Sequence, residues 1–263
     1  MRLKEFIRSR VLPPINAVLR GVALKLVPAS SPNRDFPAFI NHLKNVGVEF
    51  KTVIDVGVAF GTPGLYDGLK RGGTKFYLVE PVPGCAPILQ KYERELGATT
   101  FNVAAGAEDG TISFNVHADV SGSSTFDQWE GAEMDGETVT VPLRRLDTLI
   151  PGPLARPVLL KVDTQGSELL VIDGAAGLLD QIDAIILECS FHQFRKNAPE
   201  FNEIVVRMNQ LGFACYETLE GHYRSLDNAM AQVDLVFVPV ASDLRKERGY
   251  FSAEQARDYL TTR

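Results

Sequence analysis

Cysteine is scarce in this chain: Cys85, Cys189 and Cys215 are odd in number and far apart. That excludes a disulfide framework and any C-x-x-C metal or redox motif, and it favours a reducing cytosol. Long apolar runs are missing as well, since none approaches the ~18 residues of a membrane span. Near the start, Pro13-Pro14 and the surrounding charges interrupt anything resembling a signal-peptide core. There is no basic excess. The formal net charge of −6 argues against a dedicated nucleic-acid binder, which usually carries a basic face. Two nucleotide signatures are also lacking. G-x-x-x-x-G-K-[ST] does not occur, and G-x-G-x-x-G is not satisfied because Ala59 stands in its middle place. No tight carboxylate cluster is visible, so no metal site is expected.

What is present is a chain of 263 residues, 45% hydrophobic, enough for one large core. Residues 1–35 read as a separate basic, amphipathic segment. Up to Pro28 they hold six Lys/Arg against one Glu, and Ile15, Val18, Leu19, Val22 and Leu26 share one helical face. Residues 29–33 read as a linker. Such a segment suits weak contact of residues 15–26 with an anionic membrane surface, on the inner face of the membrane for a cytoplasmic protein, or packing on a domain or dimer partner.

From residue 36 to 240 the pattern is α/β. Strands are predicted at 52–56, 75–79, 99–103, 158–162 and 184–189, and helices at 64–71, 85–96, 167–179 and 198–211. Short apolar runs alternating with helices imply a parallel, doubly wound sheet covered on both faces. An extra strand pair, 111–117 with 138–142, interrupts the series. Runs 213–218 and 233–239 have no helix between them, so they should pair as an antiparallel hairpin at a sheet edge. The tail, 241–263, should carry a closing helix at 252–261, with Ser252 and Gln255 spaced as a capping box.

Polar residues collect where the core strands end: Asp55 and Gly57, Glu80 and Pro81, Asn102 and Ala104, Asp163, then Glu188 and His192. Open α/β sheets bind ligands at that edge. In "VIDVGVAFGTPG" the spacing is Asp55-x-Gly57-x-x-x-Gly61. A carboxylate there repels a pyrophosphate and attracts a cationic ligand. Glu80, 19 residues after Gly61, suits the hydroxyls of a ribose. A cation on a ribose describes S-adenosylmethionine. Glu80 alone does not separate it from NAD; Asp55 and the missing second glycine tilt the choice.

Four stretches then carry a resemblance: "VIDVGVAFG", "YLVEPVP", "VPLRRLDTLI" followed by "LLKVDTQGSELLVIDGA", and "VDLVFVP". Over about residues 50–240 the chain resembles the FkbM family of S-adenosylmethionine-dependent methyltransferases. The Leu-Asp-x-Leu and Lys-x-Asp-x-x-Gly-x-Glu combination is the specific part. Where the family usually has Ala-Asn after its first glycine, this chain has Val58-Ala59. The resemblance implies a class I methyltransferase (Rossmann-like) fold, a seven-stranded sheet with its last strand reversed, and methyl transfer to a hydroxyl of a sugar or secondary metabolite. The acceptor is then a small molecule or glycan.

The expected cofactor contacts are Asp55, Gly57, Gly61, Glu80, Pro81, Asn102, Ala104, Asp163 and Gln165. Asp163 is expected to position the acceptor, with His192 as base and Glu188 beside them. His192 suits the role because imidazole titrates near neutral pH. Glu168 stands in a first helical turn, where a carboxylate is favoured or caps nearby amides. Residues 119–136 read as a lid or acceptor loop, with Phe126 and Trp129 available to stack on a sugar. A dinucleotide-dependent oxidoreductase and a non-catalytic binding domain of the same fold stay open as alternatives.

Overall fold

The computed structural model describes residues 34–70, 72–129 and 135–261, together with residue 11. The chain divides after residue 34 into two units, and every strand and helix from Phe36 onward belongs to the second. The amphipathic stretch 15–26 and the linker at 29–33 lie outside the described residues.

Seven strands form one sheet: β1 (Thr52–Val56), β2 (Lys75–Val79), β3 (Thr99–Phe101), β7 (Val158–Val162), β8 (Ala184–Ser190), β9 (Phe213–Tyr223) and β10 (Met230–Pro239). Their order is β3-β2-β1-β7-β8-β10-β9. The first five run parallel, and β10 is antiparallel to both β8 and β9. All five residues of β1 and of β7 are buried, as strands covered on both faces must be. On one face α4 (Leu146–Leu149), α5 (Glu168–Gly174) and α6 (Phe201–Gln210) contribute Leu146, Val171, Ile172, Ile204 and Met208 against Ile54, Leu160 and Leu187. On the other, α1 (Phe36–Asn45), α2 (Pro63–Leu69) and α3 (Ala86–Leu96) pack Phe39, Leu65, Tyr66 and Leu89 on Val53, Leu159 and Ile186.

A second sheet, β4 (Ala104–Ala105), β6 (Glu137–Arg144) and β5 (Gly110–Val116), lies between β3 and β7 in the chain. It packs Phe114, Val141 and Leu143 against Val82 and Cys85. This is the predicted strand pair, joined by β4. The hairpin β9–β10 forms at the sheet edge, with strands longer than expected. The helix predicted over 167–179 is shorter and ends at Gly174, where a Cβ would fall 1.9 Å from the Gly106 carbonyl oxygen. The chain passes too close to the small sheet for a larger residue.

Helix α1 is an element the sequence pattern did not yield. Its start has the usual chemistry: Asp35 accepts a hydrogen bond from the Ala38 amide at 2.8 Å, and a proline sits in the first turn. The closing helix α7 (Ala253–Thr261) forms as predicted. Gln255 reaches back to the Ser252 amide, and Ser252 Oγ accepts from the Gln255 amide. All three cysteines are free. Among the described residues, no helix is long and apolar enough to cross a membrane.

Candidate active site

Strands β1 and β7 are neighbours, while β2 and β8 continue outward in opposite directions. The crossovers diverge at that point and leave a crevice at the carboxyl ends of the strands. A cleft of about 470 Å³ opens there. Gly57, Gly61, Glu80, Pro81, Ala104, Asp163, Gln165 and Glu188 all line it, so most of the expected residues converge.

The turn after β1 supplies one wall. Gly57 has φ +83° and donates its amide to the Val79 carbonyl at 2.9 Å. A Cβ on Gly57 would sit 1.7 Å from the Asp163 carbonyl oxygen, so the ends of β1 and β7 meet only through glycine. Ala59 also takes a positive φ, +44°, at the position where the family usually carries Asn. Its amide donates to Glu80 Oε2 at 2.7 Å, while the Val82 amide donates to Oε1 at 2.8 Å. Burial raises the pKa of Glu80 and these two amides oppose the rise. Each carboxylate oxygen keeps a lone pair beyond its amide bond, which fits the pair of hydroxyls on a ribose.

Three expectations need correction. Asp55 does not line the cleft. It is fully buried beneath the glycine turn, accepts from Tyr66 and Thr62, and lies 3.5 Å from Lys161 Nζ. Its charge is matched from within the protein. Register explains this, because Asp55 sits opposite Lys161 across β1 and β7 and the two side chains share one face. Asn102 is likewise not in the lining; its side-chain amide donates to the Glu80 carbonyl at 2.7 Å and braces that strand end. His192 lies in a separate pocket of about 180 Å³ with Ser190, Phe194 and Ala198, because the chain turns away after β8. Gln165 and Gln232 line both pockets and stand between them.

Lys161 is the main residue the sequence reading missed. It lies in the cleft floor, 3.5 Å from Asp55 and 3.3 Å from Asp163, with a side chain only 4% exposed. Burial works against its charge; Asp55 and Asp163 overcome that and hold its pKa above the usual lysine value. The available signal was a lone lysine inside an otherwise apolar strand. Gln232 and His222 also line the cleft, brought there by the hairpin.

Past Asp163 the backbone turns sharply, with Gln165 at φ +55° and Gly166 at +111°. Glu168 folds back to accept from the Thr164 and Gly166 amides, each at 3.0 Å, so it closes the turn as a cap and stays out of the cleft. The loop after β5 latches onto this turn. Ser124 Oγ donates to the Gln165 carbonyl at 2.8 Å, and Thr125 and Ser167 hydroxyls bond at 2.6 Å. Residues 119–123 and Thr125 wall the cleft. Phe126 and Trp129 do not line it; Phe126 packs by Gly166 and Trp129 bonds the Gln193 carbonyl.

A seven-stranded sheet in this order, with one reversed strand and a cleft at the switch point, is the class I methyltransferase architecture. The family model "Methyltransferase FkbM domain" matches residues 55–215, more than half of the chain, and the protein belongs to that family. S-adenosylmethionine is the cofactor of such enzymes, and the glycine turn and Glu80 fit it. No curated protein matches the chain. Among solved structures it is similar to magnesium protoporphyrin IX methyltransferase from Synechocystis PCC 6803, at 11% identity and TM-score 0.42, covering 90% of this chain and 95% of that one. An O-methyltransferase from Bacillus cereus matches at 12% identity and TM-score 0.41, covering 89% and 96%. An rRNA methylase from Streptococcus thermophilus matches at 12% identity and TM-score 0.44, covering 80% and 99%.

Proposed function

We propose that this methyltransferase moves its methyl group to a hydroxyl oxygen of a small polar acceptor, a sugar or a hydroxylated metabolite. The observation that carries this reading is the composition of the cleft beyond the glycine turn. Asp163, Gln165, Glu188 and Gln232 form an array of hydrogen-bonding groups, and Lys161, already engaged by two carboxylates, is the one Lys or Arg in the lining among the described residues. Such a wall suits an uncharged polyol and repels a polyanion.

When bound, S-adenosylmethionine supplies a methyl group on a positively charged sulfur. Gly57, Gly61, Pro81 and Ala104 would hold it in shape, and Glu80 would take the ribose hydroxyls. Asp163 stands at the end of β7 with its carboxylate tied to Lys161 and Gln165, so it can orient an acceptor hydroxyl without moving. Displacement at a methyl carbon depends mainly on such alignment.

The test is methyl transfer from isotopically labelled S-adenosylmethionine to a panel of sugars and hydroxylated metabolites, with RNA, amines and thiols as further arms. Label is expected in hydroxyl acceptors. Asp163→Asn is expected to lower kcat on the order of 100-fold while leaving S-adenosylhomocysteine affinity within about 3-fold. Label confined to RNA or to amines would show the acceptor class to be wrong.

A further inference from the structure

We propose that Glu188 is the catalytic base, the carboxylate that takes the proton of the acceptor hydroxyl, and that Gln165 and Gln232 hold it for that task. This rests on the O-methyl transfer reading above.

Strand β8 delivers Glu188 to the sheet edge after four fully buried residues, Ala184–Leu187, so its backbone is rigid. Its two oxygens are treated unequally. Oε2 accepts from Gln165 Nε2 at 2.6 Å and from Gln232 Nε2 at 2.7 Å. Oε1 accepts no hydrogen bond among the described residues, yet it is not sealed in the core, and the residue lines the cleft. A carboxylate pinned through one oxygen and open at the other presents a lone pair in a set direction.

The other candidates are occupied, set behind the cleft, or exposed to solvent on its rim. Asp163 has one oxygen on Lys161 and the other on Gln165. Both oxygens of Glu80 hold backbone amides. Asp119 sits exposed on the loop, bonded to His117 and the Gly122 amide. His192 lies behind the Gln165–Gln232 partition, and His222 is exposed on β9.

The clamp is itself supported. Gln165 is held at its positive φ by the bond from Ser124 to its carbonyl, and its side chain spans Asp163 and Glu188. Gln232 is paired with Ser190 in the β8–β10 register, two residues past Glu188, so β10 sets its reach. The charged and titratable groups around Glu188 are the carboxylates of Asp163, Glu168 and Asp234, the Lys161 ammonium, the Cys189 thiol and the His222 imidazole. Burial first, then the Asp163, Glu168 and Asp234 charges, hold the Glu188 pKa well above the ordinary carboxylate value, against the pull of Lys161. A base so raised accepts a proton more readily at neutral pH.

In the step itself, the acceptor oxygen forms a bond to the methyl carbon as the carbon–sulfur bond breaks. The electron pair of that bond stays on sulfur, which becomes a neutral sulfide. The hydroxyl proton passes to Glu188 Oε1 and later leaves to solvent.

Two readouts test this. Protein loaded with S-adenosylhomocysteine and carrying ¹³C-labelled Glu is titrated by infrared difference spectroscopy, wild type against E188Q. A protonated carboxyl that ionises above the ordinary carboxylate range is expected in wild type and absent from the variant. Turnover is read on a pooled panel of methyl glycosides and polyols, with amine, thiol and RNA probes run separately. E188Q is expected to lower kcat on the order of 100-fold or more, with S-adenosylhomocysteine affinity within about 3-fold. E188D, which keeps the charge but shortens the reach, should retain intermediate activity. Gln232→Leu removes a donor to the ionised carboxylate, so the acidic limb of its kcat profile should move to higher pH; a merely structural role would leave that limb in place.

The proposal is overturned if E188Q keeps kcat within about 5-fold of wild type, or if no such carboxyl titrates. An E188Q that stays active while Asp163→Asn fails would leave hydroxyl transfer standing and remove Glu188 from it. Label found only in amine, thiol or RNA probes would refute the acceptor class, and the infrared titration would still decide whether Glu188 takes up the proton.

Discussion

Replacing Lys161 with methionine tests the buried charge row that underlies the cleft. The side chain is 4% exposed and its ammonium lies 3.5 Å from Asp55 and 3.3 Å from Asp163. Asp163 has a side chain 32% exposed, so solvent can take over much of its stabilisation. Asp55 is fully buried and would keep only the hydroxyls of Tyr66 and Thr62. Breaking one side of a buried pair costs roughly 3–5 kcal/mol, and Asp55 alone should account for most of that. In a domain of this size each kcal/mol lowers Tm by about 2–4 °C, so a drop on the order of 10 °C is expected. The sign with pH follows. Lys161 has a folded pKa above its unfolded one, so its contribution is fully present below the ordinary lysine value and constant from pH 5 to 8. Urea unfolding of wild type, Lys161→Met and Lys161→Met/Asp55→Asn at pH 8 measures this, and the double variant should recover most of the loss. A deficit below about 1 kcal/mol at pH 8 would refute the reasoning.

Two further outcomes are expected. Asp234 has its pKa raised to about 7, by burial above all and only partly offset by Lys161, so its cost is absent below the ordinary carboxylate range and complete above about pH 7. Asp234→Asn should therefore be more stable than wild type at pH 8, by at most about 4 kcal/mol, with the gain fading by pH 4; thermal melts across that range check it. Glu80→Gln keeps the shape of the strand end but loses the charge proposed to take the ribose hydroxyls. Calorimetric titration with S-adenosylhomocysteine should show affinity falling roughly 10- to 100-fold, with little loss of Tm in the free protein.

Much of the architecture could be read from local chemistry. Strands β1, β2 and β7 begin and end where predicted, because apolar runs bounded by Gly, Pro and charged residues have few alternative places to start and stop. The Ser252–Gln255 cap and the β9–β10 hairpin were legible for the same reason: their partners are near in sequence. Gly57, Gly61 and Glu80 at successive strand ends pointed, in the sequence alone, to the edge at which the cleft opens. What sequence order could not state was which strands become neighbours and which way their side chains point. Asp55 and Lys161 are 106 residues apart, and only the β1–β7 register turns an expected ligand carboxylate into half of a buried ion pair. Gln232 meets Glu188 because β10 runs back between β8 and β9, a pairing absent from any local window. His192 and Glu188 are four residues apart, yet one falls behind the partition and the other in the cleft, because the chain turns where β8 ends. The sequence by itself determined the elements and the edge at which the chemistry gathers, through short-range hydrophobic and turn preferences. The tertiary structure decided which carboxylate is neutralised, which one stays open and what holds it, because those depend on strand register, on burial and on contacts between residues distant in the chain.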